Sequence, residues 1–235
     1  MDASNAHLIK GRAPLRASAT LRSTLSLFGR SSGNLSFVYG PKVKRDWVVA
    51  SDLELFHFLS LEGNPEVESY DLDPQRIVAH LANQGYVGSK PDATVRFRTG
   101  LVELVEVKYE QDLKTDVRAE FQIAAQKAAA TKLGASWSVY TESAVVERER
   151  WLQDWADIVV AMSEIKYQSA YQQDDILALL SREKKLDLRS IGRQIRGEWL
   201  FTFCSVFKLV QEAKLFSNLA DEPLSWGTRI SQGER

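Results

Sequence analysis

Pro91-Asp92 and the run Glu106-Val107-Lys108, which begins fourteen positions after the aspartate, place two carboxylates and an amine where one β-hairpin can gather them. Oxygen donors of this kind suit a hard divalent cation such as Mg²⁺, which takes one or two carboxylates beside waters and a substrate phosphate. A cation held there would acidify a water and neutralise phosphate charge, and Lys108 would orient that water or stabilise the transition state. The bond open to such a group is a phosphodiester.

The elements that must position these residues can be read from their neighbours. Asp92 to Phe97 and Leu101 to Lys108 are rich in strand formers, and Arg98-Thr99-Gly100 lies between them as a loop. A three-residue loop ending in a positive-φ glycine sets Phe97 opposite Leu101 and hence Asp92 opposite Glu106. Side chains alternate along a strand, so Glu106 and Lys108 share a face while Val105 and Val107 point the other way. A two-residue Thr99-Gly100 loop would shift the register by one and send the acids to opposite faces, so the three-residue loop is the preferred reading. Taken without its surroundings, Glu106-Val107-Lys108 is an ordinary cross-strand ion pair on a solvated hairpin face.

Upstream, Ser51 to Glu62 carries Leu53, Leu55, Phe56, Phe58 and Leu59 and reads as a largely buried helix ended by Gly63-Asn64-Pro65. Ser51 and Glu54 stand at capping-box spacing, which accounts for Glu54 as fully as a ligand role would. Downstream, Asp116 to Leu133 is a helix stopped by Gly134, and Ser136 to Thr141 is a further strand. The order is helix, strand, hairpin, helix, strand. Gln122 and Gln126 lie one turn apart on the long helix and could face the site, but are read as ordinary helix residues.

Composition permits this chemistry without demanding it. The chain has 235 residues, 44% of them hydrophobic and 26% charged, enough for one domain of about 150 residues and a smaller one. The single cysteine, Cys204, excludes an intramolecular disulfide, and no apolar run approaches the ~18 to 20 residues that span a bilayer. A cytoplasmic location without membrane partners is expected. Net charge is −1, unevenly spread: residues 1–50 hold eight Lys or Arg against two acids, and residues 51–146 nine against fifteen. Lys10, Arg12, Arg16, Arg22, Arg30, Lys42, Lys44 and Arg45 form a basic arm able to contact phosphates. The plain alternative is an unstructured tail; its Arg- and Ser-rich, acid-poor composition also resembles a transit peptide, though nothing else in the chain points to an organelle. His7, His57 and His80 lack metal-ligand or triad spacing, and His57 reads as helix packing.

Glu54 on a helix, Pro91-Asp92, Glu106-Val107-Lys108, the following helix and Trp137-Ser138-Val139-Tyr140-Thr141-Glu142 together resemble the PD-(D/E)XK nuclease superfamily. Within it, Ser51-Asp52-Leu53-Glu54, the connector Asn64 to Tyr70, Lys90-Pro91-Asp92 and the Gly134 to Glu142 segment are similar to TnsA, the endonuclease subunit of heteromeric transposases. The resemblance covers residues 45–145. It implies a restriction-endonuclease-like α/β core, a mixed sheet flanked by helices, with Glu54, Asp92 and Glu106 as metal ligands. The Val107 carbonyl is a candidate further ligand, and Lys108 the catalytic lysine. It further implies Mg²⁺ (Mn²⁺ as substitute), double-stranded DNA at the ends of a mobile element as substrate, and cleavage of the 5′ strands that a DDE transposase does not transfer. The expected partners are that transposase and an AAA+ ATPase regulator, in a bacterial cell and on its nucleoid. An autonomous restriction or repair nuclease of the same fold, and an inactive DNA-binding or assembly module, are the alternatives.

From residue 147 the texture changes to helical patterns at Glu147 to Met162, Asp174 to Ser181, Asp187 to Ile195 and Glu198 to Leu215, then a turn-rich tail. Asp174 and Asp187 read as N-caps, and Leu215 to Ile230 as a wing. The expected organisation is therefore a basic arm (1–45), a nuclease domain (46–146) and a helical, winged-helix-like domain (147–235). Glu198 to Leu215 offers only Lys208 and Lys214 among aromatic and aliphatic residues, so that helix reads as core and the domain as a partner-docking unit.

Overall fold

A computed structural model describes residues 35–233, apart from 83, 116 and 166–171. The chain is mixed α/β, with a mixed four-stranded sheet flanked by helices.

A hairpin comes first, β1 (Ser36–Gly40) antiparallel to β2 (Arg45–Val49), with Trp47, Val48 and Val49 buried beneath it. Helix α1 (Asp52–Gly63) starts at the Ser51 cap and buries Leu53, Phe58, Leu59 and Leu61. Next come β3 (Val67–Asp71), the separate hairpin β4 (Ile77–Leu81) and β5 (Gly85–Ser89), then β6 (Ala93–Phe97) and β7 (Val102–Val107). Short α2 (Glu110–Thr115) precedes the long α3 (Val117–Leu133), which leads into β8 (Ser136–Tyr140). Glycine at position 134, with φ near +65°, ends α3, and the Ala135 N–H closes back on the Ala130 carbonyl at 2.9 Å.

The main sheet runs β3-β6-β7-β8. Its first three strands are antiparallel, whereas β8 is parallel to β7 because α3 carries the chain back across the sheet before β8 begins. Ala93, Val95 and Val105 on one face enter the core with Phe58 and Val67. On the opposite face α3 lies over β7 and β8 and also packs on the β4-β5 hairpin.

Beyond residue 141 the chain forms α4 (Glu142–Val146), α5 (Glu149–Glu164), α6 (Gln173–Glu183), β9 (Lys185–Asp187), α7 (Leu188–Gln194), α8 (Trp199–Gln211), β10 (Phe216–Ser217) and β11 (Arg229–Ser231). The last three strands make a small antiparallel sheet in the order β10-β11-β9. Helix α5 packs on α1, and the bare Cα of Gly63 permits it: a Cβ there would collide with the indoles of Trp151 and Trp155. Helix α8 is core, as its sequence predicts, burying Cys204, Val206, Phe207, Leu209 and Val210. One apolar core thus runs from Trp47 and Phe58 through Val105 to Trp155, Phe207 and Ile230. Each such fully buried side chain contributes about 1.5–3 kcal/mol.

Two local readings need correction. Asp187 does cap α7, its Oδ1 accepting the Ser190 N–H at 2.6 Å, but Asp174 is not a cap. Helix α6 begins a residue earlier, with Gln172 at its cap position and the Gln172 side chain donating to the Arg196 carbonyl. The final residues of the basic arm are also structured. Lys42 Nζ donates to the Leu61 and Asn64 carbonyls, 2.6 Å each, closing the C-terminal end of α1, and Arg45 pairs with Asp71 and lies over the Trp47 ring. Lys10, Arg12, Arg16, Arg22 and Arg30 lie outside the described residues.

Candidate active site

Strands β6 and β7 pair with Ala93 against Val105 and Arg96 against Val102. Extending that register one step sets Asp92 opposite Glu106, and the Asp92 N–H donates to the Val105 carbonyl at 3.0 Å. The turn is the three-residue one: the Phe97 N–H meets the Leu101 carbonyl at 2.9 Å, and Gly100 takes φ near +85°. Asp92, Glu106 and Lys108 consequently share the sheet face turned from the Val95–Val105 core.

Their contacts are short and directional. Asp92 Oδ2 accepts the Val107 N–H at 2.7 Å, which fixes the carboxylate against the strand bearing its partner. Lys108 Nζ lies 3.7 Å from Glu106 Oε1, and the Lys108 N–H donates to the Tyr140 carbonyl, so β8 holds the end of β7 in place. Glu106 is only 5% exposed. Burial raises the Asp92 carboxyl to about 7; the charges of Glu106 and Glu54 push the same way, against the Val107 N–H and Lys108. Glu106 is also raised by burial, opposed by its bond from Gln126 and by Lys108.

Glu54 is held as a helix cap. Its Oε2 accepts the Ala50 N–H at 2.9 Å, the Ser51 hydroxyl donates to its Oε1 at 3.2 Å, and its own N–H donates to Ser51 Oγ at 3.1 Å. Its charge reaches Asp92, but its oxygens serve the start of α1. Among the described residues no three His, Cys, Asp or Glu side chains gather as a metal cluster.

The residues present fit a hard cation. The half-buried Asp92 and the buried Glu106 face one lysine, and every donor is oxygen. Asp92, Glu106 and the Val107 carbonyl would hold the ion, leaving its other positions to water and phosphate. A cation bound there supplies charge neutralisation at the phosphate and an acidified water.

Gln126 completes the site, and the sequence reading passed it over. It is fully buried in α3, where Nε2 donates to Glu106 Oε2 at 2.6 Å and to Ser89 Oγ at 3.0 Å. Its Oε1 accepts the Trp137 indole N–H at 2.8 Å, which fixes the amide's orientation. The available signal was its position seven residues after Ala119, within the buried stripe of Ala125, Ala129 and Ala130, where a polar residue needs a partner. Gln122 is exposed, the ordinary helix residue it was read to be.

The remaining titratable groups lie elsewhere. His57 is buried, stacked 4.9 Å from the Tyr140 ring and pushed down to about 4 by burial, which is packing. Burial pushes the Cys204 thiol up to about 12. Among the described residues no helix is long and apolar enough to cross a membrane. No family model matches the chain, and no curated protein matches its sequence.

Proposed function

We propose that the protein is a metal-dependent DNA endonuclease with a PD-(D/E)XK core, cutting the 5′ strands at the ends of a mobile element. The observation that carries the nuclease reading is the convergence of Asp92, Glu106 and Lys108 on one face of the β6-β7 hairpin, with both carboxyls raised by burial. The order α1, β3, β6-β7, α3, β8 around the sheet β3-β6-β7-β8 supports that core. In this reading Asp92 and Glu106 hold Mg²⁺ or Mn²⁺ with the Val107 carbonyl. Lys108 would orient the attacking water or stabilise the charge on the five-coordinate phosphorus of the transition state. Glu54 contributes its negative charge from the head of α1 and stands as the more distant ligand candidate.

The succession α6, β9, α7, α8, β10, β11, with the small sheet ordered β10-β11-β9, supports a winged-helix reading of the C-terminal unit. Its recognition-helix position is filled by α8, whose buried face belongs to the core. The transposition role, with a DDE transposase and an AAA+ ATPase as partners, rests on the residue phrases around Glu54, Asp92 and Glu106.

Reconstituted excision tests the whole reading. With the neighbouring transposase and ATPase present, Asp92→Ala and Glu106→Ala proteins should abolish 5′-strand cleavage while 3′-strand joining continues. Full excision by either variant would sink it. Cleavage of naked DNA by the protein alone would instead favour an autonomous nuclease.

A further inference from the structure

A second cluster of functional character lies far along the chain from Asp92, where α7 meets the loop between β10 and β11. Residues 188–197 carry three arginines, Arg189, Arg193 and Arg196, and no acid. All three are exposed, and none forms an ion pair among the described residues. Arg189 and Arg193 are one helical turn apart and so share a face. The acid close to them, Asp187, accepts the Ser190 N–H as the α7 cap, and its charge also faces Arg189 and Arg193, leaving the three arginines in excess of it.

Beside the arginines stands a pair of indoles. Trp199 and Trp226 stack with ring centroids 4.4 Å apart and planes at 36°, and Trp226 is 50% exposed. The turn that presents Trp226 is fixed. Ser225 N–H donates to Thr228 Oγ1 at 2.8 Å, Gly227 N–H to Ser225 Oγ at 3.1 Å, and the Arg189 N–H to the Trp226 carbonyl at 3.0 Å. The floor is Gly192, where any Cβ would strike the Trp199 ring. Arg189, Gly192, Arg193, Trp199 and Trp226 line a shallow pocket of about 330 Å³.

We infer that this pocket is a nucleic-acid contact, with phosphates taken by Arg189 and Arg193 and a base or sugar laid against Trp226. The chemistry selects that ligand. Arginine matches phosphate through a rigid fork of donors, and an exposed aromatic face accepts any base. The contact also gives the C-terminal unit a grip on DNA that uses only the first residue of α8, Trp199, and not that helix's buried face. The inference rests on the nuclease reading only for its choice of DNA, and it shares no residue with the metal site.

The test is binding of the full chain in EDTA to a fluorescein-labelled duplex of about 30 base pairs and to its single strand, read by anisotropy across a salt series. Arg189→Gln/Arg193→Gln should weaken binding about tenfold or more and flatten the slope of log K against log salt by about 2 on duplex, since each lost phosphate contact removes about 0.9. Trp226→Ala should weaken binding to the single strand by about tenfold, and Trp226→Phe should restore most of it. The arginine pair is exposed, so its variant keeps the test sound if the Trp226→Ala protein fails to fold. Binding in EDTA involves no bound cation, so a failure of the proposed metal site leaves this result unaffected and the two readings fail separately. Unchanged affinity and slope in the arginine variant would overturn the inference and leave the pocket to a protein partner.

Discussion

Gln126 donates its amide to Glu106 Oε2 at 2.6 Å, so a residue in the middle of α3 sets the direction in which a strand carboxylate points. The Trp137 indole holds the other end of that amide, and the result is a chain from β8 through α3 to the buried acid. Outer partners of this kind typically govern metal affinity by 10–100-fold. Gln126→Leu should therefore weaken Mn²⁺ binding by at least about tenfold while leaving Asp92 and Lys108 in place. Titration calorimetry checks it, and unchanged affinity would reduce Gln126 to packing.

The acid pair carries a pH signature in stability. Asp92 ionises near 3.8 when unfolded and near 7 when folded, so between those values the unfolded chain binds fewer protons and stability falls as pH rises. The loss is complete above about pH 7 and amounts to about 4 kcal/mol. Asp92→Asn, whose side-chain oxygen can still accept the Val107 N–H, should be more stable than wild type in EDTA at about pH 8. The difference should shrink toward about pH 4. Urea denaturation at the two pH values measures it; a difference independent of pH would contradict the account.

Glu54 offers a separable test of capping and charge. Glu54→Ala removes the acceptor of the Ala50 N–H and should cost about 1 kcal/mol, whereas Glu54→Gln keeps an acceptor and should cost less than half of that. Both remove a negative charge that raises Asp92, so in both the Asp92 carboxyl should titrate lower by NMR. An Asp92 titration unmoved by either change would place Glu54 outside the site altogether.

The buried Glu62 ties the C-terminal helices to the sheet domain. It accepts from the Tyr70 hydroxyl, the Gln211 amide of α8 and the Lys42 N–H, while Arg98 at the β6-β7 turn donates to the Gln211 carbonyl at 3.0 Å. Burial raises Glu62 and draws Lys42 down to about 7, so each group depends on the other for its charge. Glu62→Ala should destabilise the protein by about 3–5 kcal/mol, because the Tyr70 hydroxyl, the Gln211 amide and the Lys42 N–H lose their shared acceptor. Denaturant unfolding checks this, and a cost near zero would mean that water enters the gap freely.

What the sequence made legible was local. Gly100 and the strand formers on either side set the hairpin register, and that register alone brings Asp92 to Glu106. The long α3, its Gly134 stop and the core character of α8 follow equally from periodicity and turn chemistry. The β4-β5 hairpin was not legible: Val78 and Tyr86, the latter 81% exposed, face solvent and erase the alternation that marks a strand. Nor was the role of Gln126, which depends on α3 crossing the sheet over Glu106, or that of Lys42, which looks like a phosphate-binding residue until α1 ends beside it. Both are long-range contacts, to which spacing along the chain gives no access.

Mn²⁺ titration calorimetry on the wild-type protein and on Asp92→Ala, with circular dichroism to confirm that both are folded, tests the central claim most directly. The account predicts saturable binding to the wild type that disappears in the variant. Equal binding by both proteins, or none by either, would contradict a metal site at Asp92 and Glu106 and leave the hairpin face as an ion cluster without catalytic use.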